Sequence, residues 1–257
     1  MKRLLPVGVL AAAGLAAMAQ TCIITNESFN QIGTHDTFAG EIQNDSGVNI
    51  LHHRIRVAFL DDSDNSLVQT TTVDGCLRSL QDGASDFFSA ASTASASDTD
   101  FALARLANWD EDPGFEVGDT VPGDLAFSGV TAVLSGTSLT VEGTLTNNDE
   151  DTLEDPVACI VLYNDDGDIV TTGKDQTIND LDEDEDDTFS VTVNVPEDAD
   201  LDHADVWSDG LVDGTPVEPQ ASDNIDITET TPTPGTATTT STPAPTDTPA
   251  PTDTPAP

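Results

Sequence analysis

Two halves of the chain carry one pattern. Phe38-Ala39-Gly40-Glu41-Ile42-Gln43-Asn44-Asp45 is answered by Val141-Glu142-Gly143-Thr144-Leu145-Thr146-Asn147-Asn148. In each half an apolar run then ends in an acidic turn, Val57-Ala58-Phe59-Leu60-Asp61-Asp62 and Ile160-Val161-Leu162-Tyr163-Asn164-Asp165. Leu80 and Phe88 are matched by Leu181 and Phe189, and Trp109 and Trp207 close the two halves. A repeat of about a hundred residues is one domain used twice rather than a stack of short solenoid units.

Within each copy the apolar residues recur at every second position. Ile55, Val57 and Phe59 alternate with Arg54, Arg56 and Ala58, which predicts a strand with one packed face and the arginines turned outward. Phe189, Val191 and Val193 alternate in the same way up to Pro196. Val157 to Tyr163 differs, being apolar on both faces, so its outer face is expected to be covered, with the neighbouring domain as the cover. Clusters such as Asn44-Asp45-Ser46-Gly47 and Asn164-Asp165-Asp166-Gly167 supply tight turns. No segment has a sustained helical period, and Ala90 to Asp100 reads as a loop or weak edge. The expected fold is all-β: two tandem Ig-like antiparallel β-sandwich domains plus a disordered Thr/Pro-rich tail. The boundaries read as 20–113 and 125–227 for the sandwiches, with a linker at 114–124 and the tail at 228–257.

Both ends point to export. Lys2 and Arg3 precede an apolar stretch that ends in Ala17-Met18-Ala19, so residues 1–19 read as a secretory signal peptide. The tail repeats Pro-Ala-Pro-Thr-Asp-Thr; extended, it would reach on the order of 90 Å as a surface spacer. Nothing apolar follows it, so no C-terminal membrane anchor or transmembrane span is expected.

The chain of 257 residues has 48 acidic and 7 basic residues, a formal charge of −41. Removing residues 1–19 leaves 5 basic against 48 acidic residues, or −43. Nucleic acid and anionic membrane surfaces are therefore excluded as partners, because association would bring like charges together. Envelope proteins, glycans and self-association remain. Such self-repulsion weakens the fold in dilute salt and is screened at molar salt, where the Debye length is about 3 Å. The composition resembles that of secreted proteins of salt-loving archaea.

Three cysteines leave one over. Cys22 and Cys76 fall in the first copy and are the expected disulfide, in a compartment that permits one. Cys159 reads as a small buried residue inside its strand. Cys22 has a rival role as the lipidated first residue, if cleavage falls immediately before it. Asn26 and Asn44 each begin a glycosylation sequon.

The residues quoted above resemble the FxLYD domain family. The resemblance rests on a strand ending Gly-x-Ile/Leu-x-Asn, a second ending like Leu-Tyr-Asp, and a Leu-turn-Phe pair. Its signature falls on Val57-Ala58-Phe59-Leu60-Asp61 and Ile160-Val161-Leu162-Tyr163-Asn164, with Val57 or Ile160 in place of the leading Phe, no Tyr in the first copy and Asn164 for Asp in the second. The resemblance implies a small β-sandwich of prokaryotic envelope proteins, with neither catalytic residues nor a defined ligand.

Chemistry-bearing constellations are thin. Asp61, Asp62 and Asp64 match Asp165, Asp166 and Asp168 as Ca²⁺ candidates, since calcium takes six to eight oxygens. The spacing lacks the EF-hand ladder, and an acidic hairpin turn is the plainer reading. Gly136-Thr137-Ser138-Leu139-Thr140 lacks the closing glycine of a nucleophile elbow. His52 and His53, adjacent on a strand, would point to opposite faces and form no metal pair. The two tryptophans read as plugs at the sandwich ends. The expectation is an exported, non-enzymatic protein, structural or adhesive at the cell surface, without a cofactor. The alternatives are a self-assembling surface subunit, and a module binding Ca²⁺ or glycan.

Overall fold

The computed structural model describes residues 22–61, 66–94, 101–106, 116–197 and 199–230. Among them there is no helix, and so none long and apolar enough to cross a membrane. The proposed signal peptide, the tail from residue 231 and Trp109 lie outside the described residues.

The first copy comprises β1 (Cys22–Ile32), β2 (His35–Asn44), β3 (Ile50–Leu51), β4 (Arg54–Leu60), β5 (Leu67–Asp74), β6 (Ser79–Leu80), β7 (Ser85–Ala91), β8 (Phe101–Leu106) and β9 (Glu116–Val117). Sheet β1-β2-β7 faces sheet β5-β4-β8, and β6-β3-β9 forms a small third sheet. Phe38, Ile42, Phe88 and Ala90 from one sheet meet Ile55, Val57 and Phe59 from the other. Ile55, Val57 and Phe59 are wholly buried while Arg56 is exposed, as the alternation predicts.

The second copy comprises β10 (Leu125–Ser135), β11 (Ser138–Asn147), β12 (Glu154–Asn164), β13 (Ile169–Asp175), β14 (Asp186–Asn194), β15 (Leu201–Val212), β16 (Thr215–Pro216) and β17 (Gln220–Glu229). Its strands join in the order β13-β12-β15-β17-β10-β11-β14, with β16 on β15. The continuity comes from β17, which runs antiparallel to β15 at Gln220 and then parallel to β10 from Ile227 to Glu229. The sandwich therefore extends past residue 227. Among the described residues the first copy shows no counterpart of β17; residues 107–115, between β8 and β9, lie outside them, and residues 118–124 lead from β9 into β10.

The repeat is visible in the irregularities as well as in the strands. A bulge between Thr25 and Ser28 recurs between Ser128 and Thr131, and one between Phe59 and Leu60 recurs between Leu162 and Tyr163. Positive φ recurs at Asn26 and Gly129 and at His52 and Asp155. His52 thus lies in a break between β3 and β4, and the strand on which the His52–His53 argument rests does not exist there.

The shared Gly-x-Ile/Leu-x-Asn text has a structural reason at each position. Ile42 and Leu145 are wholly buried in their cores. A Cβ on Gly40 would stand 3.2 Å from Phe88 Cζ, and one on Gly143 2.7 Å from Phe189 Cζ, so glycine makes room for the phenylalanine of the next strand. Asn44 Nδ2 donates to the carbonyls of Val48 (2.8 Å) and Leu80 (2.9 Å); Asn147 Nδ2 donates to those of Asp151 (2.8 Å) and Leu181 (3.0 Å). Asn44 is wholly buried with both amide hydrogens in use, so its sequon cannot carry a glycan in the folded protein. Asn26 is exposed, and its Nδ2 donates to Glu41 Oε2 at 2.6 Å.

Candidate functional site

The chemistry-bearing residues that the fold gathers lie in a buried seam between the two sandwiches. Cys159 and Val161 on β12 point away from their own core and pack with Ala39, Cys76, Leu77 and Phe87 of the first copy. Both are wholly buried, as the two-sided apolar strand predicts. The Phe87 ring lies 5.3 Å from that of Trp207 on β15. Trp207 therefore joins the two sandwiches instead of plugging one end. Its pairing with Cys159 corresponds in register to Arg105 opposite Arg56, so Trp109 is not its counterpart.

The disulfide also crosses the seam. Cys76 is bonded to Cys159, with Cα atoms 5.7 Å apart, and Cys22 is free. The expected Cys22–Cys76 pair is thus replaced. Cys22 opens β1 against the first core, with Asn44 as its strand partner, while Cys76 lies in the arch between β5 and β7 that faces the second copy. Burial first, and the nearby Asp45 second, push the Cys22 thiol up to about 11.

The arch is held from both sides. His53 Nε2 lies 2.5 Å from Asp86 Oδ2, both side chains being wholly buried, and Asp86 Oδ1 accepts the Leu77 N–H at 3.0 Å. A Cβ on Gly75 would overlap both His53 Nε2 and Asp86 Oδ2, so only glycine fits over the pair. From the second copy, Asp209 Oδ2 accepts the Arg78 N–H at 2.6 Å, the Asp155 carbonyl accepts Arg78 Nη2 at 2.6 Å, and Lys174 Nζ donates to the Gly75 carbonyl at 3.3 Å. Two of the five basic residues beyond the proposed signal peptide are thereby used in the seam. Asp209 is wholly buried, and desolvation pushes its pKa up to about 7 against the lowering effect of the Arg78 N–H and charge.

Strand β13 lies along the outer face of β1-β2-β7. Ser28 Oγ donates to the Ile169 carbonyl, Asn30 Nδ2 to the Val170 carbonyl at 3.4 Å, and Ser89 and Thr171 share a hydroxyl contact at 3.3 Å. Beside it, an open groove of about 790 Å³ is lined by Phe29, Gln31, His35, Thr137, Asn194 and Glu197 among others.

The acidic turns are hairpin turns. Asn164 Oδ1 accepts the N–H groups of Asp166 (3.1 Å) and Asp168 (2.8 Å), and Gly167 takes positive φ. Asp165 and Asp166 are exposed; Asp62 and Asp64 lie outside the described residues, while Asp61 donates its N–H to the Ser66 carbonyl at 3.1 Å. Sequence reasoning missed Glu27, whose pKa is raised by burial and by Asp168 across the seam. Asp168 is raised by burial and by Asp166. No group of three or more His, Cys, Asp or Glu side chains arranged to hold a metal ion occurs among the described residues. The seam covalently couples the two sandwiches, and the His53–Asp86 pair beneath it has no exposed side-chain surface.

No protein-family model and no curated protein matches the chain. Similar solved structures include a red sea bream transglutaminase, 10% identical over 81% of this chain and 32% of that one, with a TM-score of 0.25. A glycosyl hydrolase family 2 member from Bacteroides cellulosilyticus is 12% identical over 74% of this chain and 28% of that one (TM-score 0.26). A segment of two fibronectin type III domains from chicken tenascin is 11% identical over 77% and 97% (TM-score 0.22). The chain spans about a third of the length of the first two.

Proposed function

We propose that the protein is an exported, non-enzymatic element of the cell envelope, in which two sandwiches form a rigid unit with a structural or adhesive role. The observation that carries this reading is the Cys76–Cys159 bond across a buried seam. A structural disulfide persists in oxidising compartments outside the cytosol, and this one fixes the relation of two domains. The resemblance of both copies to the FxLYD family supports the same reading, as do the signal-like residues 1–19 and the Thr/Pro-rich tail acting as a spacer. The excess of carboxylates fits a saline exterior. Cleavage after Ala19 is preferred to lipidation at Cys22, because the Cys22 side chain packs against the first core. Fractionation of producing cells with N-terminal sequencing tests the reading. Surface or medium protein beginning at Gln20 supports it; cytoplasmic protein retaining residues 1–19 overturns it.

A Ca²⁺-binding role is the second reading, favoured by two partly buried carboxylates from the two copies, Glu27 and Asp168: burial first, and the charge of Asp168 second, raise the pKa of Glu27. Calorimetric titration with Ca²⁺ in molar NaCl, without heat, would dismiss it.

A further inference from the structure

The sequon Asn26-Glu27-Ser28 straddles the edge of the seam. Asn26 lies in the bulge of β1 between Thr25 and Ser28, with φ at 48°, and is exposed. Two positions on, Ser28 is only 8% exposed. Its Oγ donates to the Ile169 carbonyl on β13 and accepts Asn30 Nδ2 at 2.7 Å. One end of the sequon thus meets solvent, while the hydroxyl at the other end is engaged by the second sandwich.

The sequon at Asn44 is closed in another way. Both of its amide hydrogens are held by carbonyls 4 and 36 positions away, and its Oδ1 accepts the Ser46 N–H at 3.1 Å. A sugar on Nδ2 would replace one of those hydrogens at a wholly buried site, so a chain modified there could not adopt this fold. Asn26 has no such obstacle, because a glycosylated Nδ2 keeps one hydrogen for its single bond to Glu41 Oε2. The second copy supplies a comparison at the same backbone position. Gly129-Val130-Thr131 occupies the matching bulge of β10, again with positive φ at its first residue, but there the hydroxyl residue, Thr131, is exposed.

We propose that Asn26 carries an N-linked glycan, attached before the second sandwich docks over Ser28. In the transfer, Asn26 Nδ2 displaces the phosphate-linked lipid from the anomeric carbon of a lipid-linked oligosaccharide. The C–O bond to phosphate breaks, the N–C bond forms, and one amide proton leaves to a base of the transferase. An enzyme that reads asparagine together with the hydroxyl two residues later must reach both. Ile169 lies 141 positions beyond Ser28, so a chain that emerges and folds from its N-terminus presents the sequon before its cover exists. The proposal rests on the export reading above, because such sequons are used on secreted chains.

Peptide mapping of the exported native protein by mass spectrometry tests the site. A glycan on the peptide containing Asn26, with Asn44 bare, is expected. Exported protein that is bare at Asn26, or modified at Asn44, overturns the proposal and leaves the export reading intact. The order of events is tested on folded protein made in a strain without the transferase, with its disulfide formed. This protein is incubated with a solubilised oligosaccharyltransferase and a lipid-linked oligosaccharide. The wild type is expected to stay unmodified, while Gly129→Asn gains a glycan at residue 129, since Thr131 is open and a Cβ at 129 meets nothing within 4 Å. Folded wild type modified at Asn26 as fully as the variant is at 129 overturns the order. So does a variant that stays bare, because the covered serine is then not what decides.

Discussion

Phe87 of the first sandwich and Trp207 of the second lie with their rings 5.3 Å apart, in the same buried cluster as the Cys76–Cys159 bond. A large apolar contact and a covalent link therefore act on one boundary. The disulfide closes a sequence separation of 83 residues, for which chain entropy alone gives about 4–5 kcal/mol. Cys159→Ala should lower the melting temperature in molar NaCl markedly, and reductant should do the same to the wild type but not to the variant. Calorimetry with and without reductant checks this.

Asn44→Ala and Asn147→Ala should cost about 2–3 kcal/mol each, since each leaves two carbonyls without their donor. The two losses should be similar because the two turns are the same. Denaturant unfolding of both variants measures them, and a large disparity would contradict the structural equivalence of the copies.

Glycine at the phenylalanine sites should be unequally replaceable. Gly143→Ala meets Phe189 at 2.7 Å and Val130 at 3.0 Å, whereas Gly40→Ala meets Phe88 at 3.2 Å. The first substitution should destabilise by about 1–3 kcal/mol through overpacking, and the second by less. Gly75→Ala should be worse than either, because its Cβ would overlap the sealed His53–Asp86 pair.

Asp209 predicts a pH effect of definite sign. Its folded pKa of about 7 lies above the ordinary carboxylate value, so the folded protein holds a proton that the unfolded chain has released. The stabilisation from that proton is complete below about pH 4 and is lost as pH rises through about 7. Relative to Asp209→Asn, the wild type should therefore lose stability between these limits. Melting temperatures of both proteins from pH 4 to 8 measure the difference, and parallel curves would contradict the assignment.

What the sequence revealed was periodic and local. Alternation around Val57 and Ile160 marked which residues face a core, and the apolar outer face of Val157 to Tyr163 announced a cover. The identity of that cover was not legible, because Phe87 reads as one more apolar residue beside Phe88, although one faces the seam and the other the core. Cysteine pairing failed for a related reason: proximity within one copy favoured Cys22 with Cys76, while folding brings Cys76 to a residue of the other copy. The tryptophans misled because similar places in the text are not similar registers, and strand pairing sets Arg105 where Trp207 stands. Nor could the pattern show that Asn44 is buried, or that His53 and Asp86 meet 33 positions apart in the chain.

The seam is tested most directly by mass-spectrometric mapping of peptides from the native protein, alkylated and digested without reduction. The account predicts one linked pair containing Cys76 and Cys159, with Cys22 recovered as an alkylated free thiol. A Cys22–Cys76 peptide pair, or three free cysteines in exported protein, would contradict it.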